Sequence, residues 1–286
     1  AMQTPNGDFI SFELPLEFSQ ALNAISQAKG VTLFMTLLSA FYTLLYRYSG
    51  QDDINIGTPI ANRTRGELEN IIGFFVNTLV IRGDLSGNPT FDELLARIKA
   101  SALGAFAHQD VPFEKIVDVL KVERNMSHSP LFQVMFALQN TPAQDMETET
   151  KLRISPVTAH SGTSKFDLTL FMVEEGGVIS GGFEYNTDLF DEATIHRMIA
   201  HFSTLLHQIV TNSRQKIAAL PMSSVDELDF ILSEWNGAKM PQQISENIIT
   251  VFEQTVKNHP ENTAVEFLGE KVSYTELNER TNALAH

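Results

Sequence analysis

Residues 33–48 form the longest apolar stretch in the chain, interrupted only by Thr36, Ser39, Thr43 and Arg47. Sixteen residues fall short of the roughly 20 that a helix needs to cross a bilayer. The segment is therefore expected to be a helix buried in a folded core. Thr32 stands where an N-cap belongs, and Gly50 follows the last apolar turn. A second constraint is the nearly continuous apolar run 131–138, which reads as a strand covered on both faces. A buried helix and a doubly covered strand together require layers, with helices packed against a sheet.

The remaining periodicities fill in those layers. Residues 9–14 alternate as a strand, and Pro15 opens a helix to about Lys29 with Gly30 behind it. Strands are expected at 54–57 and 74–82, joined by the polar loop 58–70, and helices at 91–107 and from Pro112 to Leu120. Thr90 is placed to cap the first of these helices. The acidic stretch 141–151 reads as a loop, and 152–160 precedes a hairpin of 166–174 and 178–185 turning at Gly176-Gly177. A long helix, 191–211, closes the unit. The predicted fold class is α/β, a mixed sheet flanked by helices. After about Leu220 the composition shifts: 227–235 reads as a short helix and 236–245 as a linker. Helices at 247–258 and 274–286 then flank a strand at 264–268. Those last residues are too few to build a core of their own.

Charge and cysteine content remove several function classes. The 20 basic and 35 acidic side chains leave a net charge of −15, so no nucleic-acid partner is expected. There is no cysteine, which excludes disulfides, thiolate metal sites and a cysteine nucleophile. No basic stretch followed by an apolar core opens the chain, and Ala1 before Met2 looks like a tag remnant. The expectation is a cytoplasmic protein with no membrane association, its two ends cut from a longer chain.

Generic chemistry is thinly represented. His196, His201 and His207 share one predicted helix at spacings of five and six; paired metal ligands on a helix stand three or four apart, so no metal is expected. Gly176-Gly177 suits a turn and Gly181-Gly182 close strand packing, not a phosphate cradle. Asp145, Glu147 and Glu149 read as an exposed acidic loop.

Three strings carry more. In Ile72-Gly73-Phe74-Phe75-Val76-Asn77-Thr78-Leu79, Gly73 permits close backbone approach. Asn77 puts an amide in an apolar segment, where it must either tie down a neighbour or face a wet cavity. In His108-Gln109-Asp110-Val111-Pro112-Phe113-Glu114, Asp110 is placed to cap the helix that Pro112 opens, and His108 is either a helix-end residue or a general base. In Arg124-Asn125-Met126-Ser127-His128-Ser129-Pro130-Leu131-Phe132-Gln133, a polar, basic loop turns at Pro130 into the buried strand.

In this order the strings resemble the late core motifs of condensation domains of nonribosomal peptide synthetases. Thr58-Pro59-Ile60-Ala61-Asn62-Arg63, Lys165-Phe166-Asp167-Leu168-Thr169-Leu170 and Glu184-Tyr185-Asn186-Thr187 extend the likeness over about residues 8–235. Val272-Ser273-Tyr274-Thr275-Glu276-Leu277-Asn278 resembles the first core motif of an adenylation domain. The resemblance divides the chain into a condensation C-terminal lobe (1–222), a linker (223–245) and the start of an adenylation domain (246–286).

The resemblance implies a single lobe similar to chloramphenicol acetyltransferase. It is one wall of a tunnel in which an acceptor amine attacks a donor thioester. The thioesters arrive on phosphopantetheine arms of peptidyl carrier proteins. Its other partners are the missing N-terminal lobe and the adenylation domain in cis. The family's His-His-x-x-x-Asp-Gly motif belongs to the first lobe, and no His-His pair occurs here. The chain alone is thus expected to be inactive, to bind no cofactor or metal itself, and to expose an apolar face through which it self-associates. The resemblance assigns cleft-lining or structural roles, none catalytic, to Arg63, Gly73, Asn77, His108, Gln109, Asp110, Arg124, Ser127, Pro130 and Gln133. Arg63 matches an arginine that pairs with the aspartate of the histidine motif, so without that partner it is expected to be solvated or rearranged. The alternatives are a non-catalytic docking scaffold and an epimerisation-type domain; the Phe74–Thr78 string and the adenylation start favour condensation.

Overall fold

A computed structural model describes residues 4–63, 65–68, 71–122, 129–139, 160–235 and 247–285. The chain forms two compact units, Ala1–Val225 and Asp226–His286. In the first unit the elements run β1 (Gly7–Glu13), α1 (Leu16–Ala28), α2 (Leu33–Ser49), β2 (Asp53–Ile60), β3 (Asn77–Asp84), α3 (Phe91–Ala107) and α4 (Phe113–Leu120). They continue with β4 (Val134–Gln139), β5 (Leu168–Glu175), β6 (Val178–Asn186) and α5 (Glu192–Thr211).

The six strands make one mixed sheet in the order β1-β6-β5-β4-β2-β3. β4 runs parallel to β2 and to β5, and the outer pairs are antiparallel. The β5–β6 hairpin turns on Gly176 and Gly177, both at positive φ (59° and 82°), as a two-residue turn requires. Alternation along the strands divides the apolar side chains between two faces. Phe136 of β4, Leu168, Leu170 and Met172 of β5 and Phe183 of β6 join the main core with α1, α2, α3 and α5. Met135, the alternate residue of β4, joins a smaller cluster with Phe132 and Phe166, against which Phe113 at the start of α4 packs.

The apolar run 33–48 is α2, capped by Thr32 accepting from the Met35 amide at 3.3 Å and ended by Gly50 at φ 70°. Its residues from Met35 to Leu44 are all buried. No single helix among the described residues is long and apolar enough to cross a membrane. Thr90 and Glu93 form a full capping box at the start of α3.

Some boundaries differ from the sequence expectation. β3 begins at Asn77, because its partner β2 ends at Ile60, which pairs with Asn77. Residues 74–76 therefore lie outside the sheet, and the side chains of Ile72 and Phe74 are 101% and 92% exposed. The apolar run 131–138 starts as a turn, with Leu131 at φ 69°, before β4 begins. The segments 141–151 and 236–245, and all of 152–160 but His160, lie outside the described residues.

At the boundary between the units stands α6 (Val225–Phe230), followed by a wider turn over Ile231–Trp235. The second unit holds α7 (Ile248–Asn258), a hairpin of β7 (Thr263–Phe267) and β8 (Glu270–Ser273), and α8 (Tyr274–Ala285). None of its described residues is buried. β8 escaped the sequence reading because Glu-Lys-Val-Ser lacks the apolar signature of a strand; it forms because Leu268 and Gly269, both at positive φ, reverse the chain.

Tyr42 shows how closely α2 sits on the sheet. Its ring is fully buried, its hydroxyl donates to the Ile81 carbonyl at 2.5 Å, and a Cβ added to Gly83 would lie 2.5 Å from the ring. Burial pushes the phenol far above its ordinary range, so folding favours the protonated ring. The resulting stability is complete below the unfolded value of about 10 and is lost as pH rises past it. Tyr42→Phe is expected to lower stability by about 1–3 kcal/mol at neutral pH, through the unsatisfied carbonyl. It should also flatten the alkaline decline in urea midpoint, leaving the share of Tyr185, whose phenol burial also pushes up. Identical declines in the two proteins above pH 10 would contradict this placement of the ring.

Candidate functional site

Three of the sequence strings, 58–63, 72–79 and 108–114, converge where β2 ends. Asn62 turns the chain at φ 52°, a left-handed conformation that asparagine tolerates. Arg63 then folds back over its own loop. Its guanidinium donates to the carbonyls of Leu68, Ile71 (2.8 Å) and Gly73 (3.5 Å), and lies 4.4 Å from the Phe75 ring centre. Of the two expectations for Arg63, solvated or rearranged, this arrangement is in keeping with the second, since the guanidinium is turned onto carbonyls and a ring of its own loop. At Gly73 an added Cβ would stand 3.1 Å from the Phe75 ring, which would have to shift by a few tenths of an ångström. Arg82, at the far end of β3, is held by Asp53 through two bonds of 2.8 and 2.7 Å and takes no part.

Asn77 is a tie between strings. Its Nδ2 donates to the carbonyls of Gln109 (2.9 Å) and Val111 (2.8 Å), while Oδ1 accepts from the amides of Thr78 (2.9 Å) and Phe113 (3.2 Å). Both donors and both acceptor positions of the amide are used. The Phe113 amide is one of the orphan donors at the start of α4, so a side chain from β3 caps this helix. Asp110 does not cap it, contrary to expectation. The helix begins at Phe113 with Pro112 in the cap position, so Asp110 sits two residues too early to reach the first-turn amides. His108 is exposed at the C-terminal end of α3, with its backbone in the turn that leads to Val111.

The string 124–133 goes elsewhere. Gln133 donates to the Ser129 carbonyl at 3.0 Å. With Leu131 it lines a small cavity at the amino ends of β2 and β4, the opposite end of the sheet from Asn77. Pro130 belongs to the same turn. Arg124 and Ser127 lie outside the described residues. The link between the two ends is Phe132, unmarked in the sequence reading. It lies on Gly57, where a Cβ would come within 2.3 Å of its ring, and packs against Phe113 and Phe166. A glycine in mid-strand facing an aromatic residue is the signal that was available.

At the carboxyl ends of β2 and β4 a cavity of about 750 Å3 opens. Thr58, Pro59, Ile60, Ala61 and Val76 from the motif strings form one wall; Phe34, Leu103 and Phe106 form another. A second depression of about 810 Å3 lies over β1, β6 and β5 and shares Gln139 and Phe171 with the first. On its edge His160 accepts from the Gly162 amide through Nδ1 (3.2 Å), so that Nε2 carries the proton facing Glu184 at 3.5 Å. Gly182 lies beneath the Phe9 ring, with no room for a Cβ, so Gly181-Gly182 serve strand packing as expected. The three helix histidines face different partners: His196 pairs with Glu192, His201 with the Tyr48 hydroxyl, and His207 packs on Phe18. No cluster of three metal-ligating side chains occurs among the described residues. The motif strings thus build a braced wall with a cavity.

Residues 1–232 match the family model described as "Condensation domain". The chain is 46% identical over its whole length to a linear gramicidin synthase polypeptide from Brevibacillus parabrevis, of which it spans 6%. All of it superposes on 22% of a four-domain nonribosomal peptide synthetase bound to AMP and glycine, with a TM-score of 0.76 and 25% identity. The X-domain from teicoplanin biosynthesis matches 78% of the chain through 51% of its own length, with a TM-score of 0.71 and 27% identity.

Replacing Asn77 tests the tie. Asn77→Ala strands two carbonyls and an amide and is expected to cost about 1–3 kcal/mol in urea unfolding. Asn77→Asp, nearly the same shape, loses both donors and aims a carboxylate at two carbonyls, so it should cost more at pH 7 than at pH 4. A loss under about 0.5 kcal/mol for both variants, the level of an ordinary surface change, would contradict the geometry.

Proposed function

The chain belongs to the condensation-domain family of nonribosomal peptide synthetases, and we propose that it is the second lobe of a domain that joins carrier-bound aminoacyl or peptidyl groups through an amide bond. The observation that carries this reading is the coverage. More than three-quarters of the chain corresponds in fold to about half of the first condensation domain of the CDA synthetase, and the matched part folds as one sheet with its own core. We read residues 1–222 as the lobe, 223–245 as a linker and 246–286 as the start of an adenylation domain in cis. The unit from Asp226 onward, with no buried residue among those described, is in keeping with a piece whose core lies elsewhere.

In the reaction the acceptor nitrogen attacks the thioester carbonyl, the C–N bond forms, the C–S bond breaks, and the thiol of the donor arm departs. The nitrogen sheds a proton, and the family's histidine motif would receive or orient it. That motif is not in this sequence, which has eight histidines and no adjacent pair. This lobe contributes shape. Arg63 and Asn77 fix the loops at the mouth of the cavity, so an arm and its cargo meet a wall that needs no rearrangement. Holding two reactants in such geometry is a large part of what an amide-forming site must supply. Its partners in this reading are the first lobe and the phosphopantetheine arms of two carrier proteins.

Loaded donor and acceptor carrier proteins, mixed with this chain, are expected to give no dipeptidyl thioester above the carrier-only background. The same carriers with the complete domain that contains this lobe should give it. Product from the chain alone would refute the division of labour. A complete domain that binds carriers without forming product would favour a docking scaffold instead.

A further inference from the structure

Resting on that reading, the geometry points to the cavity at the carboxyl ends of β2 and β4 as the seat of the substrate's own side chain, and to an aliphatic or aromatic one. Its volume of about 750 Å3 is that of a small-molecule site, ordinarily about 300–1,000 Å3. Strands that run parallel present their carboxyl ends to ligands in open α/β sheets, and β2 and β4 are such a pair.

The lining decides the chemistry. In a chain with 55 charged side chains (20 basic and 35 acidic), none among the described residues lines this cavity. Phe34, Ile60, Leu103, Phe106 and Leu138 make it apolar, and Thr32, one of its few polar groups, is engaged in capping α2. Leu103 and Val76 are about half exposed at its edge (52% and 50%), apolar surface that a seated side chain would cover. A charged side chain placed there would lose its hydration without gaining a partner. The rim is different. Gln139 is exposed where the cavity joins the depression that carries Ser11, Ser180 and the His160–Glu184 pair. An aminoacyl thioester fits this gradient with its side chain among the phenylalanines and its polar amide or ammonium end towards Gln139.

The test uses the 286-residue chain and three defined probes, the N-acetylcysteamine thioesters of leucine, phenylalanine and aspartate, titrated by protein-observed NMR. The leucyl and phenylalanyl thioesters are expected to bind at least about tenfold more tightly than the aspartyl one, the scale of discrimination an apolar pocket provides. Leu103→Asp, on an exposed helix surface that the fold does not need, should abolish the preference. Ala137→Phe, which fills the cavity from its β4 wall, should weaken leucyl binding by about tenfold; if that variant fails to fold, Leu103→Asp decides alone. Equal affinities for the three probes, no saturable binding of any, or an unchanged preference in folded variants would each overturn the assignment. Absence of the preference in the unaltered protein, while the complete domain still forms amide bonds, would sink the pocket alone. Retention of the preference in a domain that forms no amide would sink the reaction and leave the pocket standing.

Discussion

One side-chain amide holds the site end of this lobe together. Asn77 commits two donors and two acceptor positions to four backbone groups, two in the link between α3 and α4 and one at the first residue of α4. The consequences pass along a chain of contacts. With its amide capped, Phe113 starts α4 at a fixed place; its ring meets Phe132; Phe132 lies flat on Gly57. Asn77, Phe113 and Phe132, each from a different sequence string, are thereby made into one surface. Asn77 is only half-buried, and its side chain is held because every lone pair and proton of the amide finds a backbone partner.

The helix side of the sheet is governed by a different constraint, close packing. α2 is apolar nearly all round because α1, α3, α5 and the sheet enclose it, and Tyr42 and Gly83 set how near it lies. The opposite face is only partly covered, by the small cluster under Phe132 and by α4. The His160–Glu184 pair lies on that face, while the cavity opens at the strand ends between α2, α3 and the sheet.

Much of this was legible in the sequence because it rests on local rules. Periodicity placed α2, α3 and the β5–β6 hairpin nearly to the residue, and Thr90 and Gly176-Gly177 behaved as caps and turns do. The tie at Asn77 was also foreshadowed, as one of two open readings, by a polar amide among apolar neighbours. What failed were inferences that needed tertiary distances. Asp110 has the right chemistry for a cap, but the helix starts too late for it. Arg63 was expected to be solvated or rearranged, but which carbonyls it would find, five to ten residues away, was not legible. Phe74 has the look of a strand residue, yet β2 stops before it could pair. The cavity was not legible at all, since its walls come from α2, β2, the loop before β3, α3, β4 and β5, and no local pattern announces their meeting.

The central claim is that the Asn77 side chain, reaching from β3, supplies the hydrogen bond at the start of α4. Amide hydrogen exchange at Phe113 in the native chain tests it directly. First-turn helix amides ordinarily lack an intrahelical acceptor and exchange readily. The account predicts that Phe113 is slowed at least about tenfold relative to the neighbouring Glu114 amide, in keeping with a bond that opens only when this end of the lobe opens. Exchange of Phe113 at the rate of an unprotected amide would contradict it.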